Sequence, residues 1–345
     1  MTLAERLRRE IAQGGPVSVA RWMAACNSAY YASRDPLGAA GDFITAPEIS
    51  QVFGELIGLA LADCWLRAGA PERVRLVELG PGRGTLMADL LRATARVPGF
   101  AAALSVHFVE TSPVLRGEQA KRVPAAEWHD ELGEVPDDAP LLLVANEFFD
   151  ALPVRQFLRA PAGWRERLVG LDGTTAIGSL IADPLVPPAL WNAPAGSVFE
   201  ASAASTAVAA EIGARLTRHG GAAIVADYGH DGPQIGDTLQ AVQAHGRADP
   251  FATPGDVDLT CHVDFTALAV ASGVAAHGPV GQGAWLRALG IEARAAALKA
   301  RATPEQADGI DTAVARLTGE DAMGTLFKVM ALAGTGWPTP AGFAA

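Results

Sequence analysis

Hydrophobic and polar positions divide the chain into segments of different period. From Ile49 to Trp65 the apolar residues Ile49, Val52, Phe53, Leu56, Ile57, Ala60, Leu61, Cys64 and Trp65 recur three and four apart. That is the stripe of a helix buried along one face. Thr45, with Glu48 three residues on, has the form of a capping box at its start. Leu3, Leu7 and Ile11 mark a shorter helix over residues 1–13, and Ser18 is placed to cap a second one running to about Tyr31. The period then changes. The short apolar runs 74–79, 104–109, 141–145 and 222–226 read as buried strands, a brief strand ends at Trp128-His129-Asp130, and 325–332 reads as the last strand. Strands separated by helical spacing predict a doubly wound α/β sheet. Runs 154–159 and 164–169, around Ala160-Pro161-Ala162-Gly163, read as a β-hairpin inserted into it. The proline-rich 183–196 reads as loop, 200–219 as helix, the residues after Gly281–Leu286 as helix to about Leu317, and the polar stretch 247–265 as a loop facing solvent or substrate.

Composition narrows the class of partner. The net charge of −11 over 345 residues disfavours nucleic acid, which requires clustered Lys and Arg, and suits a basic partner such as an arginine-bearing protein segment. The three cysteines, Cys26, Cys64 and Cys261, are far apart and without metal-ligand spacing. No disulfide framework and no metal are therefore expected, and a reducing compartment is favoured. No apolar run is long enough to span a membrane. The first helix does not read as a targeting segment, so the expectation is a cytoplasmic protein. The hydrophobic first helices pack internally or form a homodimer contact.

Candidate chemistry gathers at strand ends. The first strand runs into Glu78-Leu79-Gly80-Pro81-Gly82-Arg83-Gly84-Thr85. Glycines there allow positive φ and close approach of a ligand to the backbone. The spacing is neither the dinucleotide Gly-x-Gly-x-x-Gly nor a P-loop, and no Tyr-x-x-x-Lys follows, which argues against an NAD-dependent oxidoreductase. Glu110, at the tip of the second strand, is placed to accept two O–H bonds from a ribose. Trp128 and Asp130 end the third strand, where an adenine is stacked and hydrogen-bonded. Asn146, Glu147 and Asp150 follow the fourth strand, where doubly wound sheets bind ligands. Thr45 and the segment 41–50 read either as a helix cap or as a lid over a ligand.

These motifs resemble the MidA-like family of class I S-adenosylmethionine (SAM) methyltransferases. The resemblance rests on 41–51 with Phe53-Gly54-Glu55, on Glu78–Thr85, Val109–Pro113 and Asn146–Val154, and on Asp258–Thr260 with His262–Phe265. Cys261 departs from it, since a small alanine is usual there. The family's mitochondrial members are protein arginine methyltransferases that assist assembly of respiratory complex I. The resemblance implies an α/β class I methyltransferase (Rossmann-like) sheet, mostly parallel with an antiparallel last strand. It divides the chain into an N-terminal helical extension with the lid (1–70), a core in two halves (71–153 and 201–333), a β-rich insert (154–200) and a tail (334–345). SAM would be held by Thr45, Glu78, Gly80, Gly82, Gly84, Thr85, Glu110, Trp128, Asp130 and Asn146. Glu147 and Asp150, then Asp42 and Glu48, would hold a guanidinium by bidentate pairing. The expected activity is arginine methylation of a complex I subunit or similar protein. A non-catalytic SAM-binding assembly factor and a small-molecule methyltransferase are the alternatives.

Overall fold

The computed structural model describes residues 1–33, 45–173, 175–180, 185–243 and 246–343. Its centre is an eight-stranded sheet. The main strands are β1 (Val74–Leu79), β2 (Leu104–Val109), β3 (Glu127–His129), β4 (Leu141–Asn146), β5 (Gly221–His230), β6 (Ala275–Gly281) and β7 (Phe327–Ala333). They lie in the order β3-β2-β1-β4-β5-β7-β6, and the short piece Val263–Asp264 extends the end of β5. Only β7 runs against its neighbours. This is the class I methyltransferase fold.

Alternation along the strands feeds two cores. Leu76, Leu142, Val144 and Ile224 pack under the helices Gln51–Arg67 and Thr85–Thr94. Val77, Leu143, Val225 and Met330 pack under Ala203–His219 and Phe265–Ser272. Strand order reverses between β1 and β4. In register, Leu79 pairs with Ala145 and Asn146 with Ala226, so the C-terminal ends of β1, β4 and β5 align. The segments that follow these strands must therefore meet.

The region after β4 supplies four strands of a five-stranded antiparallel sheet, and the N-terminal region supplies the fifth. The hairpin Arg155–Ala160 and Gly163–Val169 forms as expected, with Ala160 opposite Gly163. Val17–Ser18 and Val198–Ala201 flank it, and Thr175–Leu180 pairs with the hairpin's second strand. A third sheet places Gln240–Gln243 between Gly246–Ala248 and Asp258–Thr260. The helices Leu3–Gly14 and Val19–Ser33 close over both small sheets, burying Leu7, Trp22 and Met23 against Val169, Val257 and Leu259.

Several local expectations are corrected. Thr45 makes no side-chain cap. The helix it opens, Ala46–Ile49, stops at Ser50, whose backbone is extended. Ser50 Oγ then accepts from Val52 N at 3.3 Å and starts the long helix. The Glu48 carboxylate is engaged elsewhere, by Thr85, and does not fold back on its own turn. The polar stretch 247–265 is partly strand, and Glu200 and Ala201, expected to open a helix, end the strand Val198–Ala201. The 282–317 stretch is three helices. The edge strand β6 carries Gly278 and Pro279 and a bulge between His277 and Val280, so it shows no alternation to read. All three cysteines are buried and free. Among the described residues no helix is long and apolar enough to cross a membrane.

Candidate active site

The aligned strand ends open into a cleft of about 1120 Å³. Glu78, the penultimate residue of β1, is on its wall. The carboxyl is buried, Oε2 has no hydrogen-bond partner among the described residues, and burial raises its pKa well above the carboxylate range. A carboxylate held this way calls for a cationic or N–H-bearing ligand. Gly80 follows with φ +59°, and a Cβ there would lie 2.9 Å from Phe148 Cδ2. Gly82 and Thr85 also line the cleft. Gly84 does not: it sits at the N-cap of Thr85–Thr94, behind the wall and against Gln119.

Glu110, just past β2, faces the same cleft. Its Oε1 accepts from Ser112 N at 2.7 Å and its Oε2 from Gln119 Nε2 at 3.3 Å; burial raises its pKa. Asp130 lines the rim and pairs with Arg116 at 2.6 Å. Trp128 is not on the wall. Its ring packs on Phe108, and its indole N–H donates to Gln119 Oε1 at 2.8 Å. This corrects the expectation that Trp128 stacks on a base, because side chains alternate along β3 and Trp128 points into the core. Gln119, which sequence reasoning missed, also donates to Gly82 O at 2.7 Å. It thus joins the glycine turn, Glu110 and Trp128 through one fully buried amide.

Across the cleft, the turn after β4 presents Asn146, Glu147 and Asp150. Glu147 has φ +48°, rare for a side-chain-bearing residue. Its N–H is held by Ala226 O at 2.9 Å. Its Oε1 accepts from Ala46 N at 3.1 Å and Asn146 Nδ2 at 3.2 Å. Burial pushes the Glu147 carboxyl up to about 7 and the Asp150 carboxyl up to about 6. Asp227, fully buried on β5, braces this turn: its Oδ2 accepts from Phe149 N at 3.0 Å and Asp150 N at 3.2 Å. In the sequence Asp227 only follows the apolar run 222–226, with nothing to mark its role. Tyr228 faces Asp150 and Thr260, and Tyr31 faces Asp258. Thr45 and Glu48 complete the rim, with Glu48 Oε1 accepting from Thr85 Oγ1 at 2.5 Å. Asp42 lies outside the described residues.

A glycine turn under a reversal of strand order, with an acid at each of the first two strand ends, defines a class I methyltransferase cleft. The comparisons agree. Residues 56–280 match a family model described as "Putative S-adenosyl-L-methionine-dependent methyltransferase", and the chain belongs to this family, the MidA-like SAM-dependent methyltransferases. It is 36% identical over 374 residues to the mitochondrial protein arginine methyltransferase NDUFAF7 homolog of Drosophila melanogaster, covering 96% of this chain and 84% of that protein. It is 37% identical over 328 residues to the mitochondrial NDUFAF7 protein of Homo sapiens, covering 85% and 74%. A Burkholderia thailandensis crystal structure bound to S-adenosyl-homocysteine superposes with a TM-score of 0.83 at 28% identity, covering 99% of this chain and 93% of that one. The protein is thus a SAM-dependent methyltransferase. The cytoplasmic expectation is corrected by these relatives, which are named as mitochondrial proteins.

Proposed function

We propose that the protein is an arginine N-methyltransferase acting on a protein substrate. The observation that carries this reading is the pair Glu147 and Asp150, two carboxyl groups on one turn lining the cleft, with Asp150 Oδ1 unpartnered among the described residues. Such a pair matches a planar guanidinium, which two acids hold bidentately. The relatives' naming as protein arginine methyltransferases supports it. So does the net charge of −11, which favours a basic partner. The family resemblance supports a subunit of respiratory complex I, or a similar protein, as the acceptor.

The residues present fit SAM. Glu78, its Oε2 unpartnered among the described residues, would take the ammonium end, over Gly80 and Gly82, with Thr85, Thr45 and Asn146 lining that end of the cleft; Gly84 would act only by capping the helix Thr85–Thr94 behind the wall. Glu110 would take the ribose hydroxyls and Asp130 the base; Trp128 would act only through Gln119. The cofactor supplies an electrophilic methyl group on a sulfonium. Glu147 and Asp150 do the rest by orienting the guanidinium and drawing its charge toward them. With its carboxyl pushed up to about 7, Glu147 is also poised to take the proton that the methylated nitrogen releases.

Methyl-labelled SAM offered with lysate tests this, using wild type and Glu147→Gln. The expected result is a labelled protein band that yields methylarginine on hydrolysis and is lost in the variant while SAM binding persists. Label in a small molecule, or SAM binding without any transfer, would overturn the arginine reading.

A further inference from the structure

Strands β2 and β3 pair in register, with His107 opposite Glu127 and Val109 opposite His129. Alternation along β3 puts Glu127 and His129 on one face, and pairing puts His107 on the same face. The three side chains converge at the edge of the central sheet, off the wall of the cleft. His107 Nδ1 is 3.1 Å from His129 Nε2 and 3.8 Å from Glu127 Oε2. All three donor atoms lie within 4.8 Å of one another.

These spacings suit a common ion. Two nitrogens bound to one tetrahedral zinc, each about 2.0–2.1 Å from it, sit about 3.3 Å apart. The carboxylate needs only a rotamer adjustment to close, and Glu127 is exposed enough to make it. The outer contacts are also in place. Ser105 Oγ lies 3.0 Å from His107 Nε2 and accepts from Arg75 Nη1 at 2.6 Å. An oxygen so placed accepts the Nε2–H and leaves the lone pair on Nδ1, facing the other two ligands. The Arg75 charge is balanced by Asp138 at 2.6 Å. Burial grades from His107, fully enclosed, through half-buried His129 to exposed Glu127, so one side stays open for entry and for a water ligand.

We propose that His107 Nδ1, His129 Nε2 and the Glu127 carboxylate bind a transition-metal dication of the zinc type, with water in the fourth position. The ion serves as a structural clip. It fastens the short edge strand β3 to β2, and the His129 carbonyl accepts from Glu110 N at 3.0 Å, so the clip steadies the backbone that carries Glu110.

The full chain, stripped with a chelator, is titrated with Zn²⁺ by calorimetry and with Co²⁺ by visible absorption. The expected result is one equivalent per chain with tetrahedral Co²⁺ bands. Affinity should fall about 10- to 100-fold in Ser105→Ala and at least about tenfold in Glu127→Gln, and binding should vanish in His129→Gln. Circular dichroism establishes that each variant is folded. No saturable equivalent in wild type, or an equivalent that survives both Glu127→Gln and His129→Gln, would overturn the site and leave two imidazoles that only hydrogen-bond each other.

Discussion

On the proposed reading, Glu147 couples the chemistry to pH. Its carboxyl ordinarily titrates near 4.5 and is pushed up to about 7; that of Asp150 goes from 3.8 to about 6. Between these limits the folded protein binds more protons than the unfolded chain, so the stability of the free protein falls as pH rises from about 4 to 7. For Glu147 alone the effect is at most about 3 kcal/mol. Guanidinium binding has the opposite sign, because it requires the ionised acids. The expected outcome is a Tm that declines from pH 5 to pH 8 in the free enzyme, less steeply in Glu147→Gln, while kcat/KM of wild type rises over the same range. In Glu147→Gln at pH 8, loss of one charged partner costs about 2–4 kcal/mol, roughly 30- to 1,000-fold in kcat/KM. A flat activity profile in wild type would separate these carboxyls from the acceptor. Glu147 and Asp150 were legible because they directly follow a buried strand. Gln119 and Asp227 were not, since their importance lies in hydrogen bonds to distant backbone atoms.

At the scale of elements, periodicity located β1 and β2 to the residue, because both are paired on each side and carry mostly apolar positions, Val74, Leu76, Val77 and Leu79 in the first and Leu104, Val106, Phe108 and Val109 in the second. It failed at one edge, where β6 has alanines, glycines and a proline in place of a pattern; at the other edge the brief β3 was read, with its end one residue beyond His129. The His107–Glu127–His129 trio was still illegible, since only the β2–β3 register assembles it. Element packing also sets limits that propensity does not reveal. Gly213 lies inside the helix Ala203–His219, where alanine should gain about 1 kcal/mol. A Cβ there, however, would sit 1.7 Å from Ser272 O, at the C-terminus of the crossing helix Phe265–Ser272. Gly213→Ala should therefore destabilise by about 2 kcal/mol or more, read as a lower urea midpoint; a gain would show that the helices slide apart freely. Glu55 poses a similar test. This buried carboxylate is held by Arg92 at 2.7 Å and Arg294 at 2.6 Å, linking three helices. The arginine heads are 49% and 35% exposed and can rehydrate, but the acid, at 2%, cannot. Glu55→Gln should cost only about 1–2 kcal/mol, whereas the double variant Arg92→Ala with Arg294→Ala strands the charge and costs about 3–5 kcal/mol. The reverse order in urea unfolding would refute this assignment of the burden.

Over the whole molecule, the two small sheets and the N-terminal helices form one unit, and Asn27, Tyr31, Gln240, Asp258 and Thr260 from it line one side of the cleft, the side proposed to take the acceptor. Asn27 is the joint. Its Nδ2 donates to Ala151 O at 2.9 Å and Leu259 O at 2.8 Å, and its Oδ1 accepts from Leu259 N at 3.1 Å. The amide therefore grips the residue after Asp150 and the residue after Asp258, two acids on the cleft wall. A leucine of similar volume would keep the packing of the helix Val19–Ser33 and remove all three bonds. The backbone groups of Leu259 are buried, and leaving them unpaired costs about 1–3 kcal/mol each, less for the more accessible Ala151 carbonyl. Asn27→Leu should thus lower stability by about 3 kcal/mol. It should also lower kcat/KM at temperatures where the variant remains folded, with SAM affinity unchanged, because Glu78 and Glu110 are carried by the other wall. Loss of SAM affinity in parallel would mean that the two walls move as one body. Unchanged transfer would mean that the N-terminal helices only cover the insert and do not place Asp150.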